Sequence, residues 1–294
     1  MMKVALVCCG RLENRYAVEF IEYYKRLGFD HIYIADNNHE GEEHFEDVLQ
    51  SYMDDKFVSI LDYRNKEAIQ MTAYKEIYES IKNLYDWIAF YDFDEYLTLV
   101  EDINIKDYLS RDCFKDYRQI LINYKVYTDN DLIYDDGRPL LERFTTSREY
   151  DNVFPYLQNQ FKSILKGNLE NVSFYVAHCF DEIYDDYMTL TEKYSCNSVG
   201  KTIFNEQQFN VEKNYDLAYI KHFTTKTIDE YINNKLIRGV GDRTYKNFKG
   251  TYSLDKFFKI NSFTDKKIEY LKTKLNYSDK KINKLKEIIT IFNS

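Results

Sequence analysis

The chain of 294 residues contains little cysteine, proline or glycine. Its five cysteines are an odd number, with Cys8 and Cys9 adjacent, and they form no C-x-x-C pair. The sequence therefore supports neither a disulfide framework nor a cysteine zinc site, and we predict a reducing, cytoplasmic setting. Two prolines and nine glycines exclude collagen-like sequence and argue against low-complexity linkers, so we expect a compact protein.

Long apolar runs are also missing. A membrane-spanning helix needs about 18 or more apolar residues in succession, and the sequence has no such run. The apolar N-terminal stretch is too short for a signal peptide and continues into strand-like sequence, so we expect a protein that is neither secreted nor membrane-spanning by its own signals. The net charge of −9 argues against nucleic acid as a partner.

No glycine-rich G-x-G-x-x-G or G-x-x-x-x-G-K motif follows the first predicted strand, so neither a dinucleotide-binding fold nor a P-loop is indicated. Strand and helix patterns nevertheless alternate up to residue 110. The predicted strands are 3–9, 31–35, 58–61 and 87–91, and the predicted helices are 16–27, 42–52 and 68–84. This alternation predicts an α/β protein with a doubly wound, mostly parallel sheet.

Beyond residue 110 the predicted elements are shorter and are separated by polar segments. They are strands 119–127, 161–165, 172–178 and 215–223, a helix over 226–240, and two helices within 264–292. We expect one catalytic domain over 1–255, in which 1–110 bind a nucleotide and 111–255 build an acceptor pocket. Residues 256–294 form a lysine-rich helical extension.

An acidic cluster follows the buried strand that is predicted to end at Tyr91. Its members are Asp92, Asp94 and Glu95. Since alternate side chains of a strand point the same way, Asp92 and Asp94 can hold a hard divalent cation, which in turn can bind a diphosphate. Ligands of open α/β sheets bind beyond the carboxyl ends of the strands, so the position and the chemistry both predict a metal site.

Four segments, taken in order over roughly residues 3–240, resemble bacterial GT-A glycosyltransferases of the family 2-like and family 92-like kind. They are RLENRYAVEFIEYYKRLGFDHIYIADNN, AIQMTAYKEIYESIKNLYDWIAFYDFDEYL, YTDNDLIYDDGRPLLERF and KHFTTKTIDEYINNKLIRG. Arg11 stands where the pattern has lysine, and Thr128 and Asp131 replace the two glycines of a G-D-N-G motif. The resemblance implies a GT-A-type fold, a UDP-sugar donor and inversion at the anomeric carbon.

Site residues are predicted from these motif positions and from their places in the pattern. Mn²⁺ or Mg²⁺ would be held by Asp92, Asp94 and His222. The donor would contact Arg11, Glu13, Asp36, Asn37, Gln70, Asp92, Lys226 and Arg238. Asp129 would take the proton of the acceptor hydroxyl, with Asp181 and Glu182 as alternatives.

Structural roles are open alternatives for several of these residues. Asp36 and Asn37 can form an Asx turn or cap a helix, and Arg11 can be an ordinary surface arginine. A single histidine such as His222 is often structural, and Asp129 can belong to an exposed acidic loop.

The expected function is sugar transfer to a saccharide or lipid-linked saccharide in the synthesis of a capsule, a lipopolysaccharide or another bacterial surface glycan. A nucleotidyltransferase that makes nucleotide sugars and a non-catalytic carbohydrate-binding protein are the alternatives. Residues 259–294 hold nine lysines against four acids. This tail either docks on the catalytic domain through its apolar positions or, over 264–294, contacts an anionic membrane surface.

Overall fold

The computed structural model describes residues 1–148, 160–174, 178, 180, 195–203, 212–237 and 253–293. The strands in these residues are β1 (Val4–Gly10), β2 (His31–Asp36), β3 (Val58–Asp62), β4 (Trp87–Phe90), β5 (Glu95–Leu99), β6 (Gln119–Val126), β7 (Phe161–Lys166), β8 (Ser195–Asn197) and β9 (Ala218–His222). The helices are α1 (Asn14–Arg26), α2 (Glu46–Asp54), α3 (Gln70–Ile81), α4 (Ile105–Leu109), α5 (Leu140–Arg143), α6 (Ile228–Tyr231), α7 (Leu254–Ile260), α8 (Asp265–Leu275) and α9 (Asp279–Asn293). A 3₁₀ turn covers Asp112–Phe114, and a π-helix over Ile232–Ile237 continues α6.

The first half is a parallel sheet in the order β3-β2-β1-β4 with helices on both faces. Strand β1 is buried on both sides, as expected of a central parallel strand. Leu6 and Cys8 join the apolar cluster that contains α1, whereas Ala5 and Val7 join the cluster that contains α3. The alternation of side chains along β1 thus covers both faces, and the predicted doubly wound α/β fold is confirmed.

The second half continues the sheet as β7-β6-β9-β5, with β8 beside β6. Strand β7 runs antiparallel to β4 and β6, whereas β9 runs parallel to β6 and antiparallel to β5. Residues 91–94 connect β4 directly to β5, which lies at the far end of the strand order. The acidic segment therefore crosses from one half of the sheet to the other.

Two predicted elements differ from the observed ones, and one observed strand has no predicted counterpart. Helix α2 begins at Glu46, whereas the sequence predicts a helix from residue 42. The Glu42 side chain instead binds Arg11, and the Glu43 side chain accepts a hydrogen bond from the Asn14 backbone N–H. Residues 172–174 form no strand, although Val172 and Phe174 are buried against β4, and 175–177 lie outside the described residues. Strand β5 was not predicted, since its sequence follows the acidic segment without a turn signal.

The C-terminal helices pack against α6. Their buried apolar side chains form one cluster with Ile228, Tyr231 and Ile232, and the cluster includes Leu254, Phe257, Phe258, Tyr270, Leu271, Ile282, Leu285 and Ile289. Docking of the tail through its apolar positions is thereby observed. The predicted boundary at 255/256 falls inside α7, and the division into domains stays a prediction. Across the described ranges, no helix combines the length and the apolar character that crossing a membrane requires.

Candidate active site

The first acid of the segment, Asp92, is held by three side chains. Its Oδ1 accepts hydrogen bonds from Gln70 Nε2 at 3.0 Å and from the Tyr74 hydroxyl at 3.2 Å. Its Oδ2 lies 2.8 Å from the ammonium of Lys162 on β7. Burial raises the pKa of Asp92, but the Lys162 charge outweighs it and leaves the pKa below its usual value. Asp92 is therefore an ionised and rigidly placed carboxylate.

A second group combines Asp94, Glu95 and His222, whose potential ligand atoms all lie within 4.8 Å of one another. The antiparallel register of β5 and β9 places Glu95 opposite His222. His222 Nε2 is 3.7 Å from Asp94 Oδ1 and 3.9 Å from Glu95 Oε1. Two carboxylates and an imidazole suit Mn²⁺. The sequence predicts Asp92 as the third member of this group, but the structure has Glu95 in that place. The role of Asp92 as a metal ligand stays a prediction.

Cationic neighbours fix the protonation of this group. Burial raises the pKa of Asp94, but Lys235 at 3.2 Å and Lys226 at 3.8 Å together hold it far below its usual range. Burial lowers the pKa of His222 to about 4, so the ring is neutral at pH 7. Since a metal ion needs a charged carboxylate and a neutral imidazole, both side chains are in the state that coordination requires.

Glu95 is almost completely buried and bonds through both oxygens. Its Oε1 accepts a hydrogen bond from the Tyr124 hydroxyl at 2.6 Å, and its Oε2 accepts one from the Asp92 backbone N–H at 2.9 Å. Burial raises the pKa of Glu95 to about 8. At pH 7 the Glu95 carboxyl is therefore mostly protonated, and it would lose its proton when a cation binds beside it.

Lys162 is a site residue that the sequence analysis missed. It is 0% exposed and lies between Asp92 Oδ2, at 2.8 Å, and Glu95 Oε2, at 3.4 Å. Burial lowers its pKa, but the two carboxylates outweigh that effect and keep the ammonium charged. The available signal was a lysine inside the apolar strand sequence FKSIL, because a charged residue in a fully buried strand needs a partner.

A second network places Lys226 beside Asp94. Arg143, which is 1% exposed, donates to both oxygens of Glu230 at 2.9 and 3.1 Å, and the Tyr16 hydroxyl donates to the same carboxylate at 2.5 Å. Glu230 also forms a capping box with Thr227 at the start of α6. Lys226 has a φ of 52° and its ammonium lies 4.4 Å from the centre of the Tyr16 ring. The network thus holds a strained backbone position next to the acidic group.

The predicted donor-binding residues of the first half lie at the carboxyl ends of β1 and β2. Arg11 forms a bidentate ion pair with Glu42 at 2.6 and 2.8 Å. Asp36 Oδ1 accepts from the Asn38 backbone N–H at 2.9 Å, which is the Asx turn that the sequence left open. Asn37 donates to two backbone carbonyl oxygens. These contacts fix the loop, and donor contact stays a prediction.

The remaining predicted donor residues are distributed as follows. Glu13 is buried just before α1, and Gln70 is buried at the start of α3, where it bonds to Asp92. Arg238, and the alternative bases Asp181 and Glu182, lie outside the described residues.

Asp129, the predicted base, is buried at a cleft of about 510 Å³. Its Oδ2 lies 2.6 Å from the ammonium of Lys267 on α8. Its Oδ1 accepts from the Asp131 backbone N–H at 3.0 Å. Asp131 stands where the motif has glycine and adopts a φ of 59°, in the left-handed region that favours glycine.

The chain matches glycosyltransferase family 92 over residues 6–238. It therefore belongs to that family, and it is a transferase. The resemblance indicated by the four sequence segments is confirmed. The family match favours neither the nucleotidyltransferase nor the non-catalytic binding protein.

Solved structures with some similarity include TarS of S. aureus, at 13% identity and a TM-score of 0.40 over 94% of this chain and 46% of that one. TarS 1-349 has 12% identity and a TM-score of 0.40 over 92% and 78% of the two chains. Glucosyl-3-phosphoglycerate synthase of Mycobacterium tuberculosis, in complex with Mn²⁺, UDP and glucosyl-3-phosphoglycerate, has 13% identity and a TM-score of 0.28 over 56% and 57%. The chain spans just under half of the full TarS chain. No curated protein sequence matches the chain.

Proposed function

We propose that this family 92 enzyme transfers a sugar from a UDP-sugar to a saccharide or lipid-linked saccharide acceptor, with inversion at the anomeric carbon. The transfer requires Mn²⁺ or Mg²⁺. The observation that carries the proposal is the group of Asp94, Glu95 and His222, where the start of β5 meets the end of β9, with ligand atoms within 4.8 Å of one another.

The donor set fits a hard divalent cation, since carboxylate oxygens and a neutral imidazole bind Mn²⁺. When bound, such a cation would neutralise charge on the leaving diphosphate. Lys226 and Lys235 already contact Asp94 and lie where they can pair with the same phosphate oxygens. Asp36 and Asn37, at the end of β2, stay the proposed contacts for the uridine, because ligands of such sheets bind beyond the strand ends.

Asp129 stays the proposed base. Burial raises its pKa, and an ionised carboxylate with a raised pKa is a stronger acceptor of the hydroxyl proton. Asp181 and Glu182 stay the alternatives. The proposed setting is the synthesis of a surface glycan at the cytoplasmic face of the membrane, and the cysteine pattern supports the cytoplasm.

The test is UDP release from a panel of UDP-sugars by the wild type and by Asp94→Asn, in a titration with Mn²⁺. Asparagine keeps the shape of the side chain and removes its charge, so we expect at least a 100-fold loss of turnover and a weaker response of the unfolding midpoint to Mn²⁺. The control is Asp112→Asn, which changes an exposed aspartate of the 3₁₀ turn. Full turnover in excess chelator would overturn the metal requirement, and no release from any UDP-sugar would overturn the donor.

A further inference from the structure

The segment beyond the family match takes part in the cleft at Asp129. The match ends at residue 238, yet Ile260 and Ser262 line the cleft, and Lys267 reaches into the loop that follows β6. The sequence alone indicates for this lysine-rich segment only a helical extension of the catalytic domain.

Lys267 is fully buried, and its ammonium group makes three close polar contacts. It donates hydrogen bonds to Asp131 Oδ1 at 2.9 Å and to the carbonyl oxygen of Ser262 at 2.8 Å, and it forms an ion pair with Asp129 Oδ2 at 2.6 Å. The two hydrogen bonds and the ion pair together fix the position of the ammonium. A buried lysine held in this way is a fixed positive charge beside Asp129.

Asn261 links the cleft to the acidic group. Its Oδ1 accepts from the Asp129 backbone N–H at 2.7 Å, and its Nδ2 donates to Thr225 Oγ1 at 3.1 Å. The next residue along the chain, Lys226, contacts Asp94 at 3.8 Å. The cleft and the proposed metal group are thus joined through a short series of direct contacts, as neighbouring acceptor and donor sites require.

The lining of the cleft is mainly polar. It consists of Thr128, Asp129, Asn130, Asp131, Thr146, Arg148, Ile260 and Ser262. Hydroxyl, amide and carboxylate groups pair well with sugar hydroxyls, whereas an apolar acceptor would leave these polar groups without partners. A volume of about 510 Å³ lies within the range of small-molecule sites.

We propose that the C-terminal helical segment forms one wall of the acceptor site, that the acceptor binds there as a saccharide, and that Lys267 is the positioning residue for Asp129. The proposal rests on the proposed function above. In the transfer, the acceptor oxygen forms the new bond to the anomeric carbon and gives its proton to Asp129. The bond from that carbon to the diphosphate breaks, and the electron pair leaves with the diphosphate.

The charges that face Asp129 determine how it responds to pH. Burial raises the Asp129 pKa, Lys267 lowers it, and the like charge of Asp131 raises it again. Arg148 also lines the cleft. Loss of the Lys267 charge should therefore raise the Asp129 pKa further, and a larger part of the carboxyl would be protonated and inactive near neutral pH.

The test compares acceptor-dependent transfer with donor hydrolysis by water, using the donor found in the UDP-sugar panel and a set of free mono- and disaccharides. In Lys267→Met we expect the ratio of transfer to hydrolysis to fall at least tenfold. In the pH profile of kcat/KM for transfer, the acid limb should move to higher pH by about one unit. In Lys267→Arg, which keeps the positive charge, the acid limb should return most of the way to its wild-type position. The matched control is Lys266→Met, which changes the exposed neighbour on α8.

Ser262→Trp provides a second route, because it fills the cleft from an exposed position and leaves the ion pair in place. We expect it to raise the acceptor KM at least tenfold, and this result decides the matter if Lys267→Met does not fold. The inference would be overturned, while the proposed function would stand, if folded Lys267→Met kept the wild-type transfer ratio and pH profile. An unchanged acceptor KM in Ser262→Trp would have the same consequence. A wild type without hydrolysis or transfer would overturn the proposed function as well.

Discussion

Replacement of Lys162 by methionine should destabilise the protein strongly. Methionine matches the length and flexibility of the lysine stem but carries no charge, so Asp92 and Glu95 would lose their shared cation. Removing one partner of a buried ion pair costs about 3–5 kcal/mol. The Asp92 side chain is 35% exposed, so water can take over part of its charge, and we expect a loss near the lower end, about 3 kcal/mol.

The assay is urea unfolding at pH 7, with the free energy of unfolding taken from the midpoint and the slope. The matched control is Lys166→Met on the same strand, whose ammonium bonds the Lys115 carbonyl at 2.7 Å and lies 5.4 Å from the Trp87 ring centre. We expect the control to lose only about 1 kcal/mol. A Lys162→Met variant no less stable than the control would refute the view that Lys162 is the countercharge of the acidic segment.

Two further predictions concern pH and membranes. Burial raises the pKa of Glu230, but Arg143 and Tyr16 outweigh it and leave the pKa lowered. Its stabilisation is therefore present above the unfolded pKa of about 4.3 and lost as pH falls through the folded value. Glu230→Gln should lower stability at neutral pH by about 3–5 kcal/mol and flatten the acid side of a thermal unfolding profile, and an unchanged profile would contradict this. In the tail, neutralising the exposed Lys280, Lys281 and Lys284 with glutamine should weaken salt-sensitive binding to phosphatidylserine vesicles in a sedimentation assay, by about 1 kcal/mol per lysine, whereas equal binding would exclude membrane contact through α9.

The first half of the fold could be predicted because its signals are local. Each helix of that half carries an apolar face, and β1 and β4 are apolar throughout, so periodicity alone indicates the order of elements. Strand β5 was missed because Glu95 begins it only five residues after the end of β4, within the acidic motif. Its pairing with β9 is a long-range contact that no local pattern encodes.

The sequence predicts Asp94 and His222 as partners because each ends or follows a strand, and the fold brings the two side chains together, whereas their role as metal ligands stays a prediction. Lys162 was overlooked, although a lysine inside the apolar strand FKSIL is a signal of a buried charge. Lys267 was hidden among the nine lysines of 259–294, and only the fold shows that it is buried while Lys266, Lys272 and Lys274 on the same helix are exposed. The local sequence does not reveal which carboxylates such a buried lysine pairs with, because the partners come from distant parts of the chain.

The pairing of β5 with β9 has a consequence for the growing polypeptide. Glu95 and His222 are opposite each other in the register but lie far apart along the chain, so a ribosome that adds about 5–20 residues per second needs on the order of 10 s to go from one to the other. During that interval the carboxylates of Asp94 and Glu95 cannot contact the His222 ring. The nascent protein therefore completes the group of Asp94, Glu95 and His222 only after β9 has been made.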